Sequence, residues 1–102
     1  MKYAKREMKM DNVIRQIKDI AKKNKVDKVV LFGSRARGDD LSSSDYDIAV
    51  YTHDDTSLKR AIFCNDIDEI KTLRKIDVVF VSEKLSNELK ENISKDGIVI
   101  YE

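Results

Sequence analysis

The sequence predicts an α/β chain of the α+β kind: a mixed sheet of about four strands covered by helices. Three observations carry this. Short runs rich in Val, Ile and Phe alternate with segments of helical period. The polar stretch between the first two runs leaves too little room for a helical crossover, which favours antiparallel pairing of the first two strands. No proline, repeat or low-complexity tract interrupts the order, so 102 residues are expected to form a single domain over positions 1–102.

The elements follow in order. Met10, Val13, Ile14, Ile17, Ile20 and Ala21 recur at steps of three and four, predicting an amphipathic helix from about residue 9 to 24 with Asn24 as its stop. Val26–Phe32 reads as a short buried strand ended by Gly33. The segment up to Ser44 is polar and turn-rich, and Asp45–Tyr51 alternates as a second strand. Thr56 or Ser57 is placed to cap a helix reaching about Leu73, although its apolar positions drift in phase near Asn65 and Asp66. Ile76–Val81 is the third strand. Leu85, Leu89 and Ile93 mark a last short helix closed near Asp96 and Gly97, and Ile98–Tyr101 a terminal edge strand.

Composition narrows the function classes. At 41% apolar and 38% charged, the chain can bury a modest core under a heavily charged surface. Seven percent aromatics and no Trp argue against a broad stacking platform for nucleic acid. Residues 1–25 hold nine Lys/Arg against three Asp/Glu, leaving eleven against sixteen in residues 26–102. The basic first helix could meet RNA or an acidic partner, although a solvated Lys-rich face is the simpler reading. The lone Cys64 cannot pair within the chain and reads as a small buried hydrophobe in a reducing compartment. The start resembles no secretion signal and no apolar run approaches membrane-spanning length, so a cytoplasmic location is expected.

The chemistry gathers at Gly33-Ser34-Arg35-Ala36-Arg37-Gly38, then Asp45-Tyr46-Asp47, then Asp77. Alternation along a strand puts Asp45 and Asp47 on one side and Tyr46, Ile48 and Val50 on the other. If the second and third strands are neighbours, Asp77 joins the Asp45/Asp47 side, with Ile76, Val78 and Phe80 facing the core. Three carboxylates so close repel one another unless a cation sits among them. Hard oxygen donors without Cys or His favour Mg²⁺, with Mn²⁺ as the alternative, and two such ions could clamp an in-line displacement. The Gly33-Ser34 corner offers close backbone approach and a hydroxyl donor to a phosphate, and Arg35 or Arg37 could neutralise a leaving pyrophosphate. Taken singly, a Gly-Ser turn or an Asp-x-Asp at a strand start is commonplace. Their order and spacing, with Asp77 alone between Ile76 and Val78, point to metal-dependent phosphoryl or nucleotidyl transfer. His53, in a polar turn without a nucleophile pattern, reads as a surface imidazole.

Gly33-Ser34, ten residues, then Asp45-Tyr46-Asp47 resembles the signature of the minimal nucleotidyltransferases, small members of the DNA polymerase β-like superfamily. Asp77 falls where that family places its third carboxylate, and the ending Asp96–Tyr101 is similar to the way these short chains close. The resemblance implies the polymerase β-like nucleotidyltransferase fold. It also implies that Asp45, Asp47 and Asp77 are catalytic and hold the metal ions, and that Asp77 helps deprotonate the acceptor. By the same resemblance Gly33 and Ser34 grip the triphosphate, with ATP the favoured nucleotide. Many such proteins are similar to antitoxins that modify a HEPN-class toxin with AMP, which implies a HEPN-type partner.

Two other readings stay open at this stage: a non-catalytic antitoxin that occludes its partner, and a transferase acting on RNA ends or a small molecule. The intact carboxylate set speaks against occlusion, which needs none. Nothing after the sheet is left over to hold an acceptor, so a partner is expected to complete the site. The acceptor, the base of the nucleotide, the number of units added, the oligomeric state and the role of the first helix are not readable from the sequence.

Overall fold

A computed structural model of the chain describes residues 12–33, 36 and 45–102. The described elements are α1 (Asn12–Asn24), β1 (Lys28–Phe32), β2 (Tyr46–Tyr51), α2 (Ser57–Asp68), β3 (Ile76–Phe80), α3 (Asn87–Asp96) and β4 (Ile98–Tyr101). The strands form one mixed sheet in the order β3-β2-β1-β4. β1 pairs antiparallel with both β2 and β4, whereas β2 and β3 run parallel, joined by α2.

Register decides what each face becomes. One face carries Leu31, Ile48 and Val78 in a row, and Val29, Val50 and Phe80 in the next. α1 and α2 cover it, burying Ile14, Ile17, Phe63 and Ile67 against these rows. Phe63 meets Phe80 edge-on with ring centroids 5.9 Å apart, which ties α2 to β3. The opposite face packs Val30, Phe32 and Ala49 against Ile93 of α3, with Leu89, Val79 and Val99 around them. At Gly97, where α3 hands over to β4, an added Cβ would stand 2.5 Å from Val30 Cγ1, so the chain passes the sheet too closely for any side chain.

The elements match the sequence reading apart from differences at their ends, among them β2 starting at Tyr46 and not Asp45 and β3 ending at Phe80 and not Val81. The first strand begins at Lys28 and not Val26, because Val26 closes the preceding helix. The described helix begins at Asn12; residues 9–11 of the expected helix lie outside the described residues. α2 ends at Asp68, well short of Leu73. Its apolar phase drifts because Phe63 and Ile67 face the core while Leu58 and Ile62 face outward, leaving no continuous stripe to carry a longer helix. α3 starts only at Asn87, where the Ser86 hydroxyl accepts from Leu89 N–H at 3.2 Å; Leu85 precedes it in a turn. α2 is capped in the same way, Thr56 Oγ1 accepting from Lys59 N–H at 3.1 Å.

α1 closes with a paired-hydrogen-bond turn: Val26 N–H donates to Ala21 O and Lys25 N–H to Lys22 O. This places Lys25 at φ 57°, left-handed backbone that glycine adopts without strain and lysine does not. Lys25→Gly is therefore expected to stabilise the protein by about 0.5–1 kcal/mol, read as a raised midpoint in urea unfolding with an unchanged slope.

Candidate nucleotidyl-transfer site

The chemistry lies at one end of the sheet. β2 and β3 are parallel, so both begin there, while β1 ends there. Register aligns Phe32, Asp47 and Asp77 across β1, β2 and β3 in a single row on the α3 face of the sheet. Neighbouring strands are about 4.8 Å apart, so Asp47 and Asp77 are adjacent by construction. Asp77 keeps a side chain 41% exposed and Asp45 lies exposed just ahead of β2, whereas Asp47 is half-buried.

Asp47 carries the electrostatic load. Burial pushes its carboxyl above the usual carboxylate range, and the negative charges of Asp77 and then Asp45 push it further. Lys75 Nζ reaches Asp77 Oδ1 at 3.4 Å, and this ion pair does not extend to Asp47. Gly33 sits directly against this group. Its φ is +81°, and an added Cβ would stand 2.5 Å from Asp47 Oδ2. Glycine is thus required there both by backbone conformation and by the space the carboxylate occupies. Ala36 N–H closes back on Gly33 O at 3.1 Å, and Ala36 packs against the core beneath α1 and α2.

The expected site residues divide accordingly. Gly33, Asp45, Asp47 and Asp77 meet at one end of the sheet, as the alternation argument requires. Ser34, Arg35 and Arg37 lie outside the described residues. Among the described residues no three His, Cys, Asp or Glu side chains stand close enough together to enclose a metal ion. Strand register itself builds the Asp47–Asp77 pair. The donors nonetheless suit a hard divalent cation: they are carboxylate oxygens, and the negative charge around Asp47 is unbalanced. Lys75 is the neighbour that sequence reading missed. Its signal was available, since it precedes Asp77 by two positions and so shares its side of the strand.

An enclosed cleft of about 200 Å³ lies at the other end of the sheet, lined in part by Lys25, His53, Asp55, Lys59 and Arg60. Apart from Lys25, its charged groups are held by neighbouring charges. Arg60 makes two hydrogen bonds to Asp55, at 2.6 and 2.7 Å, and Lys59 Nζ lies 3.5 Å from Asp54. His53 is held to Asp27 through Nδ1 at 3.0 Å and through its backbone N–H at 2.8 Å. His53 is thus a surface imidazole fixing a turn, far from the carboxylates. Cys64 is partly exposed, not buried as its type suggested, and burial still pushes its thiol up.

The chain belongs to the polymerase β nucleotidyltransferase family, whose model matches residues 15–102. Comparison with curated proteins found no match. Among solved structures, a toxin–antitoxin complex with AMP-PNP contains a chain similar at 23% identity and a TM-score of 0.64, covering 85% of this chain and 71% of that one. A tri-AMPylated Shewanella oneidensis HEPN toxin in complex with MNT antitoxin gives 21% identity and a TM-score of 0.60, covering 86% and 68%. A candidate nucleotidyltransferase from Sulfolobus solfataricus gives 26% identity and a TM-score of 0.52, covering 85% and 80%. The expected family and fold are borne out. Among the described residues no helix is long and apolar enough to cross a membrane.

A raised Asp47 pKa means that the folded state holds this proton more tightly than the unfolded chain does. Ionising Asp47 therefore costs stability: the cost is absent well below 3.8, grows as pH climbs from there to the raised folded value, and is complete above it. In metal-free buffer Asp47→Asn is expected to be more stable than the wild type at pH 7, with the gain closing towards pH 3. Thermal unfolding across that range checks it, and a gain that stayed constant or grew at low pH would exclude the electrostatic cause.

Proposed function

We propose that this protein is a Mg²⁺-dependent nucleotidyltransferase that moves AMP from ATP to a hydroxyl on a HEPN-class toxin, acting as the toxin's antitoxin in the cytoplasm. The observation that carries the reading is the row at the sheet's end: Asp47 beside Asp77, with Gly33 pressed against Asp47. The family match supports the reaction type, and the AMP-PNP and tri-AMPylated complexes support the nucleotide and the partner.

In this reading Asp45, Asp47 and Asp77 hold Mg²⁺, or Mn²⁺ in its place. When bound, the metal offsets triphosphate charge and polarises the α-phosphorus. Gly33 lets the phosphates approach the backbone, Ser34 donates its hydroxyl to them, and Arg35 and Arg37 balance charge on the departing pyrophosphate. Asp77, whose side chain is 41% exposed, takes the acceptor proton. The acceptor oxygen then bonds to the α-phosphorus as the bond to the pyrophosphate oxygen breaks, and pyrophosphate leaves with the electron pair. Lys75 holds the Asp77 carboxylate while no cation is present. In this reading the partner supplies the wall that positions the acceptor. The 102 residues act as one domain.

The purified chain, ATP, Mg²⁺ and its HEPN-class toxin are expected to give toxin heavier by whole nucleoside monophosphate units in intact-mass spectrometry. Asp45→Asn and Asp47→Asn should each lower the rate by at least about a hundredfold, more than about 2.7 kcal/mol of barrier, while still binding the toxin. Near-normal transfer by either variant at saturating Mg²⁺ would remove that residue from the metal site. An Asp47→Asn variant that protected cells as well as wild type would favour occlusion over catalysis.

A further inference from the structure

We propose that the α2–β3 loop, Glu69–Lys75, with the hollow beside it, docks the acceptor-bearing segment of the partner protein. That segment presents an apolar side chain flanked by carboxylates. The proposal rests on the reading that the acceptor is a protein, and it assigns that protein a landing place.

Topology brings the loop to the site. Because β2 and β3 are parallel, α2 must carry the chain back along the sheet, and its exit loop arrives at the end where Asp47 and Asp77 lie. The loop is pinned there: Tyr46 N–H donates to Lys75 O at 2.9 Å, one residue before Asp47. Leu73 is 94% exposed, against 69% for Leu58 and 43% for Ile62, the other large apolar residues on the described surface. Leu73 lies between two residues, Thr72 and Arg74, that line a shallow hollow of about 280 Å³. The hollow's apolar wall is Ile67, Ile70 and Ile76; Lys75 and Asp68 complete the rim. Lys75 links the hollow to the chemistry, since its ammonium also reaches Asp77 at 3.4 Å.

Charge selects the occupant. Residues 26–102 are acidic in balance, yet three of their eleven Lys/Arg, namely Lys71, Arg74 and Lys75, fall within five positions around Leu73. A basic run about a projecting leucine suits a protein segment that is both apolar and acidic. Bound nucleotide would use the cations and leave Leu73 idle. Single-stranded RNA would call for aromatic platforms, and residues 69–75 contain none. An isolated exposed leucine is ordinary; one set among cations beside the candidate catalytic carboxylates is not.

The test measures AMP transfer to the HEPN-class toxin as KM and kcat for the toxin, alongside calorimetric titration with a non-hydrolysable ATP analogue and Mg²⁺. Leu73 is almost fully exposed, so Leu73→Asp should fold normally. It is expected to raise the toxin KM tenfold or more, with analogue affinity within twofold of wild type. Lys71→Glu should raise KM severalfold, and less so at high salt. Leu58→Asp, on the outer face of α2, should leave KM unchanged. An unaltered KM in Leu73→Asp overturns the proposal, as does an equal rise in Leu58→Asp. Labelling of a short RNA that depends on Lys71 but is indifferent to Leu73 also overturns it. A wild-type chain that binds the analogue yet labels no toxin overturns the functional reading itself, and the docking proposal falls with it.

Discussion

The half-buried carboxylate of Asp47 is the constraint around which this end of the molecule is arranged. A strand at the centre of a sheet normally presents apolar side chains to both layers, as β2 does at Ile48, Ala49 and Val50. At Asp47 it instead carries an ionisable group next to Asp77 and near Asp45, and the charged form is penalised from both causes. Such an arrangement lowers stability as it stands and becomes favourable only when positive charge arrives. Gly33 shares the constraint, because the space its side chain would fill is taken by Asp47 Oδ2. The turn at Gly33 and the carboxylate-bearing strand are in this way coupled through one contact.

The rest of the fold makes that arrangement affordable in free energy. On one face α1 and α2 bury an unbroken apolar layer, and on the other α3 covers the row through Val30, Ala49 and Val79. The next row, Phe32–Asp47–Asp77, lies at the end of the strands, where Asp77 keeps contact with solvent. Parallel pairing of β2 with β3 is what sets both carboxylates at the same end; an antiparallel β3 in the same place would have carried Asp77 away. The helix that parallel pairing demands then returns the basic α2–β3 loop to the same edge.

Much of this was legible in the chain. Alternation in Asp45–Tyr51 and Ile76–Val81 is a property of strands in general, so the shared face of Asp47 and Asp77 followed once the strands were assumed to be neighbours. The antiparallel pairing of β1 with β2 was readable from the length of the segment between Phe32 and Asp45. The end of α2 was not, because Leu58, Ala61 and Ile62 mimic a core stripe while pointing outward, and periodicity alone cannot tell which of two stripes is buried. Cys64 misled for a similar reason: residue type predicts average burial, whereas its helix phase leaves it partly exposed. Lys75 was overlooked although its two-residue spacing from Asp77 put both on one side of the strand, because an exposed lysine is commonplace and gains meaning only from the pairing of β2 with β3.

The central claim is that Asp47 and Asp77 jointly hold the cation that carries the nucleotide. Crystals grown with Mn²⁺ and an α,β-methylene ATP analogue test it most directly, through the anomalous signal of the metal. A manganese peak beside the Asp47 and Asp77 carboxylates, with nucleotide density next to Gly33, is the expected result. Manganese and nucleotide found instead in the cleft by His53 and Asp55, with the Asp47–Asp77 pair bare, would contradict it.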